Sequence, residues 1–340
     1  MSPQSPSTAT VGLIANPAAG KDIRRLVSAA SPVSDMAKIG IVRRAAIGAF
    51  EGGAERLLLA DDRHALARRA TDGLGLPVEV LDLPLLSSGR DTQRAAAAFA
   101  DARVGAVVVL GGDGTHRDVV KGWRRAPIVA LSTGTNNVFP RAHEATVAGY
   151  AAGITASGQV ALSQIARHAK VIDVDIHRAD GTESRELGLV DLALISSSFT
   201  GSRAVWDAAS VIQLVAAIAE PATVGLSAIA AALAPTDRHQ PGGVAVLFPR
   251  GAGGRCRRPR SVRCPIAPGL YVDVAIADYR QVAAGEPVTL DGPGTLSFDG
   301  ERDVVLRCGD RAVARIASDG PNVIAVDRAL LVAVAGGGSS

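Results

Sequence analysis

The sequence predicts an α/β amino-terminal domain built on a parallel sheet, followed by a β-rich carboxy-terminal domain. Three observations lead there. Across residues 1–145, short unbroken apolar runs alternate with helical stretches, the pattern of a parallel sheet covered on both faces. Beyond residue 150 the pattern shifts to period-two alternation punctuated by Gly, Pro and Asp, the mark of antiparallel strands. The length, 340 residues, suits two domains of ordinary size.

The elements follow in order. Residues 10–15 (Thr-Val-Gly-Leu-Ile-Ala) are a buried strand that stops at Asn16-Pro17. A helix is expected over 21–30, a strand over 56–59, a helix near 63–73, a strand over 78–81 and an Ala-rich helix over 91–103. Residues 106–110 (Ala-Val-Val-Val-Leu) form the clearest strand and run straight into Gly111-Gly112. A helix begins near 118–123, and a strand over 128–131 ends at Ser132. Strands are then expected over 171–176, 187–195, 244–248, 270–277, 294–298 and 303–306. The apolar stretch 208–234 is broken by Glu220-Pro221, so each half is too short to cross a bilayer; two buried helices are expected there. Residues 322–335 are apolar again and are expected to pack back on the first domain, ahead of a flexible Gly/Ser end.

Composition narrows the function. The chain is 47% hydrophobic, enough for real cores. Aromatics are only 3% and the formal charge is +3, so neither stacking platforms nor a basic track for nucleic acid is supplied. The densest arginine cluster, Arg250 to Arg263, reads as a solvated loop, with contact to phosphate or an acidic partner as the alternative. Three cysteines (Cys256, Cys264, Cys308) match no zinc spacing, and their odd number suits a reducing cytosol. The first ten residues lack the basic start and apolar run of a targeting segment.

Three polar loops fall at the carboxyl ends of strands, where ligands bind in open α/β sheets. The central one is Gly111-Gly112-Asp113-Gly114-Thr115. Its glycines let backbone amides approach an anion, a following helix adds the positive end of its dipole, and Thr115 offers a hydroxyl. Asp113 would repel phosphate unless a cation or a transferable proton stood between them. It is useful if it holds Mg²⁺ through water or accepts a proton from an attacking hydroxyl. A loop carboxylate of this kind is expected to add little to stability. The first loop, Asn16-Pro17-Ala18-Ala19-Gly20-Lys21, offers an amide for nucleotide polar groups and a cation for phosphate. The third, Ser132-Thr133-Gly134-Thr135-Asn136-Asn137, offers hydroxyls and amides for ribose, phosphate or base edges. None of this is a Walker A loop, because Gly20-Lys21 lacks the upstream glycine and is followed by Asp22.

Asn16-Pro17 with Gly20-Lys21, then Gly111 to Thr115, then Thr133-Gly134-Thr135-Asn136-Asn137, in that order, resemble the NAD kinase and diacylglycerol kinase superfamily. Gly-Gly-Asp-Gly-Thr-His116-Arg117, Ser-Thr-Gly-Thr-Asn-Asn-Val138-Phe139-Pro140, the segment from Phe199 to Asp207 and Asp299-Gly300-Glu301-Arg302 are most similar to its acetoin-catabolism protein X group. The resemblance covers most of the chain. It implies an NAD kinase-like amino-terminal domain and a cytoplasmic ATP-dependent kinase that phosphorylates a hydroxyl acceptor, NAD first among the candidates. Alternatives are a lipid or small polyol as acceptor, or a non-catalytic nucleotide-binding protein. ATP would sit on the three loops with Mg²⁺ bridging its phosphates and no protein-only metal site. It implies two candidate bases: Asp113 by analogy with NAD kinases, and Glu301 by analogy with the bacterial lipid kinases. Residues 1–145 would bind nucleotide and 146–321 the acceptor, with 322–340 as a returning tail, in a homo-oligomer. The chain departs from NAD kinases in lacking their Asn-Glu pair; residues 189–198 hold Asp191 and three serines instead.

Overall fold

The computed structural model describes residues 9–20, 33–132, 137–196, 208–249 and 260–337. Lys21, Thr133, Gly134, Thr135 and Asn136 lie outside them, as do the expected helix over 21–30, the whole 199–207 motif and most of the arginine-rich loop.

The first part alternates as the apolar runs require. In chain order it holds β1 (Thr10–Ala15), α1 (Asp35–Glu51), β2 (Arg56–Leu59), α2 (Leu66–Thr71), β3 (Val78–Val80), α3 (Gly89–Asp101), β4 (Ala106–Gly111), α4 (Asp113–Gly122), β5 (Pro127–Ser132), α5 (Ala145–Ala156), α6 (Leu162–Ile165) and β6 (Ala166–His168). β1, β4 and β5 are buried almost along their whole length, which is why they read as unbroken apolar runs. The neighbours β3-β2-β1-β4-β5 pair in parallel. Two apolar cores cover the two faces, one beneath α1, α2 and α5 and the other beneath α3 and α4.

Helices α1 and α5 were not foreseen. Ser34 and Glu144 cap them: the Ser34 side chain accepts from the Ala37 amide, and Glu144 from the amides of Thr146 and Val147. The glycines are contacts. A Cβ at Gly48 would stand 2.0 Å from the Thr146 carbonyl oxygen, and one at Gly149 2.0 Å from that of Ala45. Gly48/Gly52 and Gly149/Gly153 let the two backbones touch, the packing device of small residues spaced four apart.

The second part holds β7 (Val171–His177), β8 (Glu183–Gly188), β9 (Asp191–Ile195), β10 (Val211–Ala216), α7 (Leu226–Leu233), β11 (Gly243–Leu247), β12 (Arg260–Ala267), β13 (Leu270–Ile276), β14 (Asp278–Val282), β15 (Val288–Asp291), β16 (Gly294–Phe298), β17 (Glu301–Leu306) and β18 (Arg311–Ala317). These strands form antiparallel sheets in the orders β14-β11-β10-β9-β16-β17 and β15-β18-β7-β8, with β12-β13 as a separate hairpin. Ile172, Val174 and Ile176 of β7 face Leu192 and Leu194 of β9 across a shared core, while Asp173 and Asp175 point away from it. The opposite face of β9 and β10 packs on α7 and β12.

The expectation of two helices over 208–234 is corrected: its first half is β10 and its second is α7. β10 lies between β9 and β11 with both faces covered, so its sequence shows no alternation and is indistinguishable by period from a buried helix. The strand expected over 187–195 is two strands broken at Leu189-Val190.

The tail returns as expected. β19 (Asn322–Ile324) pairs in parallel with β5, and β6 closes that edge of the first sheet beside it. α8 (Val326–Gly337) follows and packs against α5 and α6. No helix among the described residues is long and apolar enough to cross a membrane.

Candidate active site

Helix α4 begins at Asp113, five residues before the sequence placed it, with Gly112 as its N-cap. The glycine loop is therefore the helix amino terminus itself, and Asp113 lies in the first turn, where the dipole favours a carboxylate. Gly111 is required sterically, because a Cβ there would lie 2.5 Å from the Thr115 Cβ.

Asn16 of the first loop and Asn137 of the third reach this turn. Asn16 ends β1 with its amide bonded to the Leu110 carbonyl; its Nδ2 donates to Thr115 Oγ1 at 2.8 Å, while its Oδ1 accepts from the Ala18 amide at 2.8 Å. Pro17 and Gly20 complete the turn, Gly20 with a φ of 76°. Asn137 donates to Ser132 Oγ, and its Oδ1 stands 3.0 Å from where a Gly112 Cβ would be. Asn16, Gly111, Gly112, Gly114, Thr115 and Asn137 are thus brought together.

Asp113 is buried, and its carboxylate accepts from the Val138 amide at 3.1 Å and the Phe139 amide at 2.8 Å. The expectation of a loop carboxylate that adds little to stability is corrected: Asp113 is buried in the first turn of α4 and holds the Val138–Phe139 segment. His116 is fully buried behind it, its Nδ1 2.8 Å from the Gly112 carbonyl oxygen and its ring against Phe139. Because a carbonyl only accepts, Nδ1 carries the proton. Burial pushes this imidazole down to about 4.

Glu301 enters from the second part. Asp299 and Gly300, with φ of 54° and 78°, form the two-residue turn between β16 and β17, the signature of a type I′ hairpin. The buried Asp299 accepts from the amides of Leu189 and Val190 at 2.9 and 2.7 Å. Burial raises its carboxyl above the ordinary range. Arg117, from α4, is also buried; it donates to the Phe298 carbonyl at 3.0 Å, with its Nε 4.0 Å from Asp299. The turn is so bolted to α4 that the Glu301 carboxylate faces Gly114: a Cβ there would be 3.4 Å from both of its oxygens. Glu301 borders a cleft of about 1130 Å³ whose walls carry Arg90, Lys121, Arg124 and Arg185 among Asp173, Asp175 and Glu186. The Arg124 fork bonds Asp173 and Asp319, which holds it well above its ordinary value.

Sequence reasoning missed two groups. Lys38 is fully buried on α1 and donates to the Pro17 carbonyl at 2.5 Å; a lone lysine on an apolar helical face was its only signal. Arg238 donates to the carbonyls of Val138 and Phe139 at 3.0 Å and forks onto Glu220 at 2.8 and 2.7 Å. Nothing local marks it, since Glu220 lies 18 residues away and the two carbonyls 99 and 100.

Comparison with known proteins follows the same division. The model of the ATP-NAD kinase N-terminal domain matches residues 11–160, and that of the acetoin catabolism protein X C-terminal domain matches residues 170–319. The chain is 36% identical over 324 residues to acetoin catabolism protein X of Cupriavidus necator, covering 90% of this chain and 89% of that one. Among solved structures, yeast NADH kinase complexed with NADH aligns over 99% of this chain and 93% of its own, with a TM-score of 0.54 at 11% identity. At that identity the likeness is one of fold.

Proposed function

This chain belongs to the acetoin catabolism protein X family, and we propose that it is an ATP-dependent phosphotransferase acting on a hydroxyl acceptor, with NAD the first acceptor to test. The observation that carries this reading is the Glu301 carboxylate set against Gly114 at the amino terminus of α4.

The residues present fit a triphosphate. The bare Cα of Gly112 leaves a concavity that a Cβ would narrow, at the first-turn amides and the positive end of the α4 dipole. Asn16 and Thr115, already bonded to each other, and Asn137 offer further polar groups at its edge. Among the described residues no cluster of three His, Cys, Asp or Glu could hold a metal ion. Mg²⁺ would therefore take most of its ligands from phosphate and water, with Glu301 the carboxylate facing the loop. The bound Mg²⁺–ATP supplies the phosphoryl group and neutralises its charge.

On this reading the two carboxylates divide the work. Asp113 holds Val138 and Phe139 and so shapes the cradle. Glu301, on the rim of the cleft, accepts the proton of the acceptor hydroxyl. The charged walls of that cleft favour a polar, phosphate-bearing acceptor over a lipid chain. The apolar 208–234 segment gives a lipid no support, because β10 and α7 bury it.

The test is incubation with γ-labelled ATP and Mg²⁺ against NAD, NADH, diacylglycerol and a metabolite extract. Label in NAD supports the reading in full, and label in another hydroxyl compound replaces only the acceptor. ATP binding by calorimetry with no transfer to any of these would overturn it in favour of a nucleotide-binding regulator.

A further inference from the structure

The Val138–Phe139 segment has a second cavity on its far side. Where β19 ends and α8 begins lies a cleft of about 510 Å³, within the range of small-molecule sites. It is bordered by the apolar side chains of Phe139 and Ile324. Arg141, Arg167, Arg238 and Arg328 also line it, against Asp327 as the acidic residue of the lining.

Arg238 is matched by Glu220, and Arg141 lies 3.7 Å from that same carboxylate. Arg167 and Arg328 have no acidic partner among the described residues. With Glu220, Asp237 and Asp327 set against the four arginines, the cleft keeps a net positive charge. His239 feels both signs: burial lowers its imidazole, Asp237 raises it, and Arg167, Arg238 and Arg141 lower it again. The backbone adds to the field. Ala325 accepts from the Ala329 amide as the residue before α8, and an alanine has no side-chain oxygen to cap the helix. The positive end of the α8 dipole therefore meets the arginines in one concavity.

Like charges gathered around a partly apolar hollow repel one another unless an anion joins them. Two arginines without counter-charges, beside a helix amino terminus, supply the several donors that a phosphoryl group takes. We propose that this cleft is a second ligand site, separate from the glycine loop, which binds a small organic phosphate. Its phosphoryl group meets Arg167, Arg328 and the start of α8, and its less polar body rests on Phe139 and Ile324. This site does not depend on the phosphotransfer reading.

Histidines report on the two sites separately. His143 and His239 line this cleft, whereas His116 is buried behind the glycine loop. Imidazole NMR signals of the full chain are followed during titration with AMP and, in a second arm, inorganic phosphate. Saturable shifts of His143 and His239, tighter with AMP, are expected. Arg167→Ala/Arg328→Ala weakens this binding by about tenfold for each arginine removed, while the response of His116 to ATP is unchanged. Unmoved His143 and His239 signals at millimolar AMP, or undiminished affinity in the double variant, overturn the site. A response to inorganic phosphate alone overturns the assignment of an organic ligand.

Discussion

Asp113 and Arg238 hold the same two residues from opposite directions. Asp113 accepts the amides of Val138 and Phe139, and Arg238 donates to their carbonyls. One comes from the glycine loop and the other from the loop after α7, so the Val138–Phe139 segment is gripped by both parts of the chain.

Asp113→Asn should therefore lose stability as well as activity. Oδ1 accepts from both amides and Oδ2 shares that of Val138, so an asparagine that keeps Oδ1 in place sets an NH₂ against the Val138 amide, donor against donor in a buried site. Denaturant unfolding should show a loss of about 1–3 kcal/mol. Wild-type stability with abolished turnover would instead favour Asp113 as the base.

Glu301→Gln separates the roles. The side chain keeps its shape at the rim of the cleft, so the melting temperature should hardly change. Phosphoryl transfer should fall by about 10²–10⁴-fold, the usual contribution of a positioned base. A variant retaining near-normal turnover removes Glu301 from the mechanism.

Arg238→Met tests the grip from the carboxy-terminal side. It leaves the mostly buried Glu220 carboxylate with only Arg141 at 3.7 Å and frees two carbonyls. A destabilisation of about 2–3 kcal/mol is expected in urea unfolding. Arg238→Lys should recover only part of it, because an ammonium cannot fork onto Glu220 and reach both carbonyls.

His116 makes stability depend on pH. In the unfolded chain it protonates near 6.5, in the fold only near about 4. Between those values the unfolded state holds more protons, so acidification through this window destabilises the fold, by on the order of 3 kcal/mol once complete. His116→Asn keeps a donor for the Gly112 carbonyl and removes the titration. Its stability profile should be flatter from pH 6.5 down to 4.

Gly149→Val probes the helix contact. With 2.0 Å between a Cβ and the Ala45 carbonyl oxygen, α1 and α5 must separate. A loss of at least about 1–3 kcal/mol is expected by thermal or denaturant unfolding; a stable variant would show that the helices can part freely.

Much of this architecture is legible in the sequence. The buried runs at β1, β4 and β5 carry their own signal, and each ends in the loop it positions. Asp299-Gly300 announces a hairpin because both residues tolerate positive φ. Local patterning failed where neighbours decide. The glycines of α1 and α5 show their use only where the two helices touch, and β10 looks like a helix because both of its faces are buried.

The sequence by itself determined the order of the loops and the residue types on them, because strand, turn and capping preferences act over a few residues. Only the tertiary structure decided how the two carboxylates are placed. Asp113 spends its lone pairs on amides 25 and 26 residues away. Glu301, 187 residues beyond Gly114, is brought to the glycine loop by a turn anchored through Arg117 and Asp299. Such pairings are set by packing between distant elements, and no short window of sequence contains both partners.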